Sequence, residues 1–198
     1  MNITIPDKVR ILAVDDEEII LDIYTEALIS CNEISEKEVK MKELAAKLFG
    51  HSEEKVRFPF FEVVICSQGD AAVELVKQSL EENNPFAVVF LDVRMPPGPD
   101  GVWTGKMIRS LDPEIEIVIV TAYSDISPAD IAKQILPLHK LLYVQKPFSP
   151  QEIIHFATSL SVKWYMEKES RKIREHLDGR IKVLTEELDK AKKLVELS

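Results

Sequence analysis

The chain has 198 residues, 45% of them apolar and 30% charged, with a formal net charge of −9. That is room for one domain of ordinary size plus an extra segment, and the chain is too apolar to be disordered. No apolar run spans a membrane, the N-terminus MNITIPDKVR lacks a signal-peptide core, and an acidic body argues against direct nucleic-acid binding.

Val9 to Val14 is a short apolar run that ends on Asp15-Asp16-Glu17-Glu18. Ile19, Ile20, Ile23, Ala27 and Leu28 follow at helical spacing, so the unit reads strand, acidic turn, helix. Plain N-capping is one explanation of the paired aspartates. Residues 31–58 read as an irregular insert. Within it Ser35 with Glu38 is a capping-box signature, and Met41, Leu44, Ala45 and Leu48 form a second helical face ending at Gly50. Phe60 to Cys66 is the next strand, Gly69-Asp70 opens a helix through Leu80, and Asn83-Asn84-Pro85 is a turn.

Ala87 to Leu91 runs unbroken into Asp92, as suits a strand buried on both faces. The loop PPGPDG then ends it abruptly. Trp103 to Leu111 reads as a helix, and Ile115 to Val120 as a β-branched strand ending on Thr121-Ala122-Tyr123. Ser127-Pro128 starts another helix. Leu141 to Val144 is the last strand, ending on Gln145-Lys146-Pro147, and Ser149 with Glu152 caps a final helix.

Five strands alternating with five helices predict a doubly wound parallel sheet. Asp15 and Asp16, Asp92, Thr121 and Lys146 all fall at carboxyl ends of strands. One acidic turn can be a cap, but four strand ends aimed at one rim describe a site. Clustered carboxylates repel one another and call for a hard cation with oxygen ligands, Mg²⁺ or Mn²⁺. Cys31 and Cys66 form no close motif and read as reduced thiols, as in a cytoplasmic protein. No histidine stands at metal-ligand spacing with another.

The set Asp15-Asp16, Asp92, Thr121 and Lys146-Pro147 resembles the phosphoacceptor receiver domain of bacterial two-component response regulators. The resemblance covers about residues 8–160. It implies a CheY-like, flavodoxin-like fold with strand order 2-1-3-4-5, to which this chain's own residues add an inserted helix between helix 1 and strand 2 and a long C-terminal helix. It further implies phosphorylation of Asp92 by a partner histidine kinase. By the same resemblance Asp16 and Asp92 bind Mg²⁺ directly, Asp15 binds it through water, and the backbone carbonyl of Arg94 completes the ligands. Lys146, Thr121 and the backbone of Ala122 hold the phosphoryl group. Thr121 and Tyr123 act as the switch, Pro147 follows a cis bond, and the responding face is about residues 122–160. A half-buried edge aromatic is the plainer reading of Tyr123.

Three features depart from the family pattern. The PPGPDG loop is one residue longer, Arg94 places a long cation beside Asp92, and the insert lengthens the first helix-to-strand connection by about 30 residues. The insert enters at the rim opposite the site, so decoration or partner docking is expected rather than a lid.

Beyond Pro150 there is no proline and one glycine, Gly179. Leu177, Ile181, Leu184, Leu188, Ala191 and Val195 follow the a/d spacing of a coiled coil, with a stutter at Ile173. A domain at residues 1–160 and a helical segment at 161–198 are expected. Because a solitary amphipathic helix is marginal, a parallel homodimer is favoured over a lone charged helix. Ending mid-seam, the chain reads either as a fragment of a larger regulator, hybrid kinase or diguanylate cyclase, or as a receiver whose helix is its only output. No enzyme is expected beyond self-phosphorylation and its reversal. The alternatives are a Mg²⁺-dependent aspartyl phosphatase or phosphotransferase, and a scaffold that is never phosphorylated.

Overall fold

A computed structural model of the chain describes residues 8–49, 59–122 and 127–196. Five strands, β1 (Lys8–Val14), β2 (Phe60–Cys66), β3 (Val88–Asp92), β4 (Glu116–Thr121) and β5 (Leu141–Gln145), pair in parallel in the order β2-β1-β3-β4-β5. Between and after them lie α1 (Glu18–Phe49), α2 (Gly69–Glu81), α3 (Gly101–Leu111), the short α4 (Pro128–Ala132), a 3-10 turn (Leu138–Lys140) and α5 (Pro150–Glu196). The expected doubly wound, flavodoxin-like sheet is the observed one.

The period-2 geometry of the strands explains the layering. Ile11, Ala13, Val88, Phe90, Val118 and Val120 face one side, where Leu21, Tyr24, Ala27 and Leu28 of α1 and Ile153 and Ala157 of α5 cover them. Leu12, Val14, Val89, Leu91, Ile117 and Ile119 face the other, against Ala72 and Val76 of α2, Ile108 of α3 and Ile131 of α4. Both faces of β3 are therefore dry, which is why its sequence is a continuous apolar run rather than an alternation.

One expectation is corrected. The helical face at Met41 to Leu48 is not a separate inserted helix, and Ser35 with Glu38 does not start one. Both lie within α1, which runs without a break for 32 residues. Neither Pro nor Gly occurs between Glu18 and Phe49, and residues such as Glu, Lys, Ala and Leu sustain a helix through the supposed boundary. At 1.5 Å per residue α1 is roughly 48 Å long, about twice the reach of a seven-residue strand. The last part of the supposed insert, residues 50–58, lies outside the described residues.

Asn32 in α1 fastens this helix to the edge strand. Its buried amide accepts from Phe61 N at 2.8 Å and donates to Phe61 O at 2.9 Å, standing in for a neighbouring strand. At the amino-end rim a second polar cluster ties three elements together. Glu116, buried at the start of β4, pairs with Lys140 at 3.3 Å and with Lys163 of α5 at 2.9 Å. The buried Arg109 of α3 donates to the carbonyls of Pro113, Ile115 and Lys140.

The chain forms two compact units, Met1–Trp164 and Tyr165–Ser198. The described part of the second unit is the C-terminal portion of α5. No helix among the described residues is long and apolar enough to cross a membrane.

Replacing Asn32 by Ala leaves a buried N–H and C=O of Phe61 without partners. A loss of about 2–3 kcal/mol is expected from urea unfolding, set by two lost hydrogen bonds and their uncompensated desolvation.

Candidate functional site

Asp15 and Asp92 terminate or directly follow adjacent central strands, and the register places them together. β1 pairs with β3 through Val14 and Leu91, so the two carboxylates that come next share the carboxyl rim. One ligand oxygen from each of Asp15, Asp16 and Asp92 falls within 4.8 Å of the others. Lys146, one residue beyond β5, reaches across to Asp15 Oδ2 at 2.8 Å and to Asp92 Oδ1 at 2.9 Å. Its Nζ also lies 3.4 Å from Glu17 Oε1.

The two buried aspartates divide their oxygens in the same way. Asp15 Oδ1 accepts from Glu17 N at 3.1 Å, and Asp92 Oδ2 accepts from Arg94 N at 2.9 Å. Each thus uses one oxygen to set its own loop and turns the other toward Lys146. Capping and site-building are both present in Asp15, one oxygen apiece. Asp16 is exposed.

Burial raises the Asp15 carboxyl above its ordinary range, and hydrogen bonding and charge from Lys146 offset only part of this. Burial likewise raises Asp92 against the same lysine. For Lys146 burial opposes the charge, but the two carboxylates outweigh it and hold the ammonium above the ordinary lysine value. The lysine therefore stays cationic across the physiological range. Beneath the site the buried Tyr24 ring packs against Phe90 and Phe148 at centroid distances of 5.1 and 5.3 Å. Burial first, then the fields of Asp15 and Asp92, push its phenol well above the usual value.

Thr121 ends β4 one step beyond Val120, the register partner of Asp92. Its hydroxyl donates to the Ala122 carbonyl at 2.9 Å, and its own carbonyl accepts from Lys146 N at 2.9 Å. Ala122 is exposed, as is the Arg94 side chain. The Lys146–Pro147 bond is cis, as are Pro96–Pro97 and Leu136–Pro137. Tyr123 lies outside the described residues. The glycine that closes the PPGPDG loop is required by close approach. A Cβ on Gly101 would stand 2.0 Å from the Asp92 carbonyl oxygen.

The donors suit a hard divalent cation. They are carboxylate oxygens, three against one ammonium. Asp15 Oδ2 is buried and, apart from the ion pair with Lys146, has no hydrogen-bond partner. Two contacts escaped the sequence reading. Glu17 joins Lys146, although it stands in the acidic turn already noted. Gln68, in the loop after β2, touches the PPGPDG loop across 30 residues of sequence, and nothing local announces this.

This fold and rim define a class, the doubly wound domains that keep their chemistry at strand carboxyl ends. Residues 57–158 match the family model described as response regulator receiver domain, and the chain belongs to that family. The transcriptional regulatory protein ZraR of Escherichia coli (strain K12) is 34% identical over 87 residues. That match covers 44% of this chain and only 18% of ZraR. A response regulator receiver protein from Sinorhizobium medicae WSM419 shares the fold at a TM-score of 0.53 and 22% identity, over 79% of this chain and 96% of that one. An adenylate cyclase from Rhodopirellula baltica does so at 0.59 and 20%, over 85% and 98%. A receiver domain of a two-component system is not itself an output enzyme.

The raised Asp15 and Asp92 values carry a pH signature. A carboxyl whose folded value is raised favours the fold when protonated, below its unfolded value of about 3.9, and loses that contribution as pH rises through the folded value. Metal-free Asp92→Asn should therefore gain thermal stability relative to wild type as pH increases from 4 to 7.5. Melting in EDTA across that range checks it, and a constant difference between the two proteins contradicts it.

Proposed function

We propose that Asp92 is the phosphoacceptor of a two-component relay, loaded by a histidine kinase in a Mg²⁺-dependent reaction. The observation that carries this is the convergence of three aspartates and Lys146 from three separate strand ends on one rim. Asp15, Asp16, Asp92 and the Arg94 carbonyl are the residues proposed to hold the metal, which when bound neutralises charge that builds as phosphorus approaches a carboxylate.

The remaining chemistry belongs to the chain. An Asp92 oxygen attacks phosphorus of the phosphohistidine, the P–N bond breaks, and the imidazole leaves with that electron pair and takes up a proton. The product is an acyl phosphate on Asp92. Lys146 exchanges its Asp92 carboxylate contact for a phosphoryl oxygen, a charge-assisted pair that also orients the group. Thr121 and the Ala122 N–H donate to the other oxygens, which requires the Thr121 hydroxyl to leave the Ala122 carbonyl. That movement, followed by Tyr123, is the proposed switch, read out on residues 122–160. Arg94 sits two residues from Asp92 with an exposed side chain, and we assign it an effect on how long the phosphoryl group survives.

We place the receiver at residues 1–160 and a helical dimerisation segment at 161–198. Ile173, Leu177, Ile181, Leu184 and Leu188 are each more than half exposed along α5. A parallel partner helix covers such a seam. In that register Glu187 at a g position faces Lys192 at the partner's e position, an opposite-charge pair.

Incubation with Mg²⁺ and acetyl phosphate should add about 80 Da, one phosphoryl group, seen by intact mass. Asp92→Asn should take up none. No adduct on the wild type favours the scaffold reading, and continuous turnover of donor favours an aspartyl phosphatase. Arg94→Ala should change the adduct's half-life, and identical decay removes that role. In sedimentation equilibrium the wild type should dimerise, and Leu184→Lys with Leu188→Lys should shift it to monomer. A monomeric wild type at high micromolar concentration excludes the seam as a dimer contact.

A further inference from the structure

We infer that Gln68 is a positioning residue for the metal site, acting through the lengthened loop after Asp92; the inference rests on the function proposed above. Gln68 is the N-cap residue of α2, a position whose side chain ordinarily accepts from the helix's own first turn. Here it makes no such bond. Instead it spans to the PPGPDG loop at two points. Its Oε1 accepts from Gly98 N at 3.0 Å, and its Nε2 donates to Pro96 O at 3.4 Å.

The surroundings are fitted to this contact. A Cβ on Gly98 would stand 2.3 Å from Gln68 Oε1, so the glycine leaves room for the amide. A Cβ on the residue after Gln68, Gly69, would stand 2.0 Å from Thr104 Oγ1 and 3.1 Å from the Pro99 carbonyl, so the start of α2 packs closely against α3 and the end of the loop. Gln68's own carbonyl accepts from Ala72 N at 3.0 Å and from the Cys66 thiol at 3.2 Å, which fixes the base of the clamp.

The loop needs an external hold because little within it supplies one. Met95 is buried, but Pro96, Pro97 and Gly98 are exposed, and the prolines offer no N–H. Gly98 N also bonds Met95 O at 3.1 Å, and three residues on Gly101 N reaches Val93 O at 2.9 Å. The segment so held begins at Arg94, whose N–H sets Asp92 Oδ2 and whose carbonyl is a proposed metal ligand. Gln68 thus fixes the direction of a ligand it does not touch, as residues behind a metal site do.

The test measures Mg²⁺ affinity by isothermal titration calorimetry. Gln68→Ala should bind Mg²⁺ about tenfold more weakly, the lower end of what loss of such a supporting residue costs. Its phosphorylation by acetyl phosphate should slow at low Mg²⁺ and return to the wild-type rate at saturating Mg²⁺. Metal-free melting should be nearly unchanged, which separates positioning from general stability. Gly98→Ala should weaken Mg²⁺ similarly by displacing the amide, and the double variant should be no worse than either single one. Gln68→Leu keeps the side chain's bulk and serves if the alanine variant fails to fold. Wild-type affinity in Gln68→Ala or Gln68→Leu, or losses that add in the double variant, overturns the inference. If the wild type binds no Mg²⁺ and accepts no phosphoryl group, the inference falls together with the proposed function. A wild type that does both beside an unaffected Gln68 variant sinks the inference alone.

Discussion

The rim of this domain depends on one ammonium group. Lys146 stands 2.8 Å from Asp15 and 2.9 Å from Asp92, and these contacts join loops that follow three different strands. The two buried carboxylates stand side by side, and burial holds both above their ordinary titration range even with this lysine lowering them. A buried charge left unpaired is far more costly than a surface pair is helpful. The lysine is the chain's own counter-charge, held between the two carboxylates.

That placement constrains everything around it. Each buried aspartate satisfies one oxygen with a backbone N–H two residues on, so neither carboxylate can swing freely when Lys146 shifts. The loops are therefore parts of the site rather than connections. Gly101 permits the chain to pass against the Asp92 carbonyl, and Asp100 caps α3 by accepting from Trp103 N at 2.7 Å. Rigidity of this kind suits phosphoryl transfer, where positioning and fixed charge supply most of the rate.

Much of this could be read from the sequence because it is local. Apolar runs bounded by Gly, Pro and Asp gave each strand and its carboxyl end, and the Ser149–Glu152 capping box is present, with Ser149 N donating to Glu152 at 2.7 Å. What escaped is contact between distant residues. Glu116 sat inside a β-branched run and read as part of a strand, while its two lysine partners lie 24 and 47 residues away. Gln68 carries no signal at all, since a glutamine before Gly-Asp is ordinary turn chemistry. Ser35 with Glu38 carries the capping-box pattern yet starts no helix. A capping box starts a helix only where the preceding chain is not already helical, and the segment from Glu18 onward contains nothing to stop it.

The first part of α5 is held at its two ends by bonds of unequal strength. Near Lys146 the hold is the Ser149–Glu152 cap, which is exposed and open to solvent screening. At the opposite rim Lys163 pairs with Glu116, which is 1% exposed and shares a second lysine. Glu116 lies in the core, so this pair is screened less than the exposed cap, although Lys163 itself is partly exposed and Lys140 remains beside the carboxylate. The difference decides where this stretch yields. A perturbation that redirects Lys146 acts four residues from the weak end and works against a firm anchor thirteen residues further on. The polar anchorage of this stretch is thus firmer at the far end, while Ile153 and Ala157 seat its middle on the sheet.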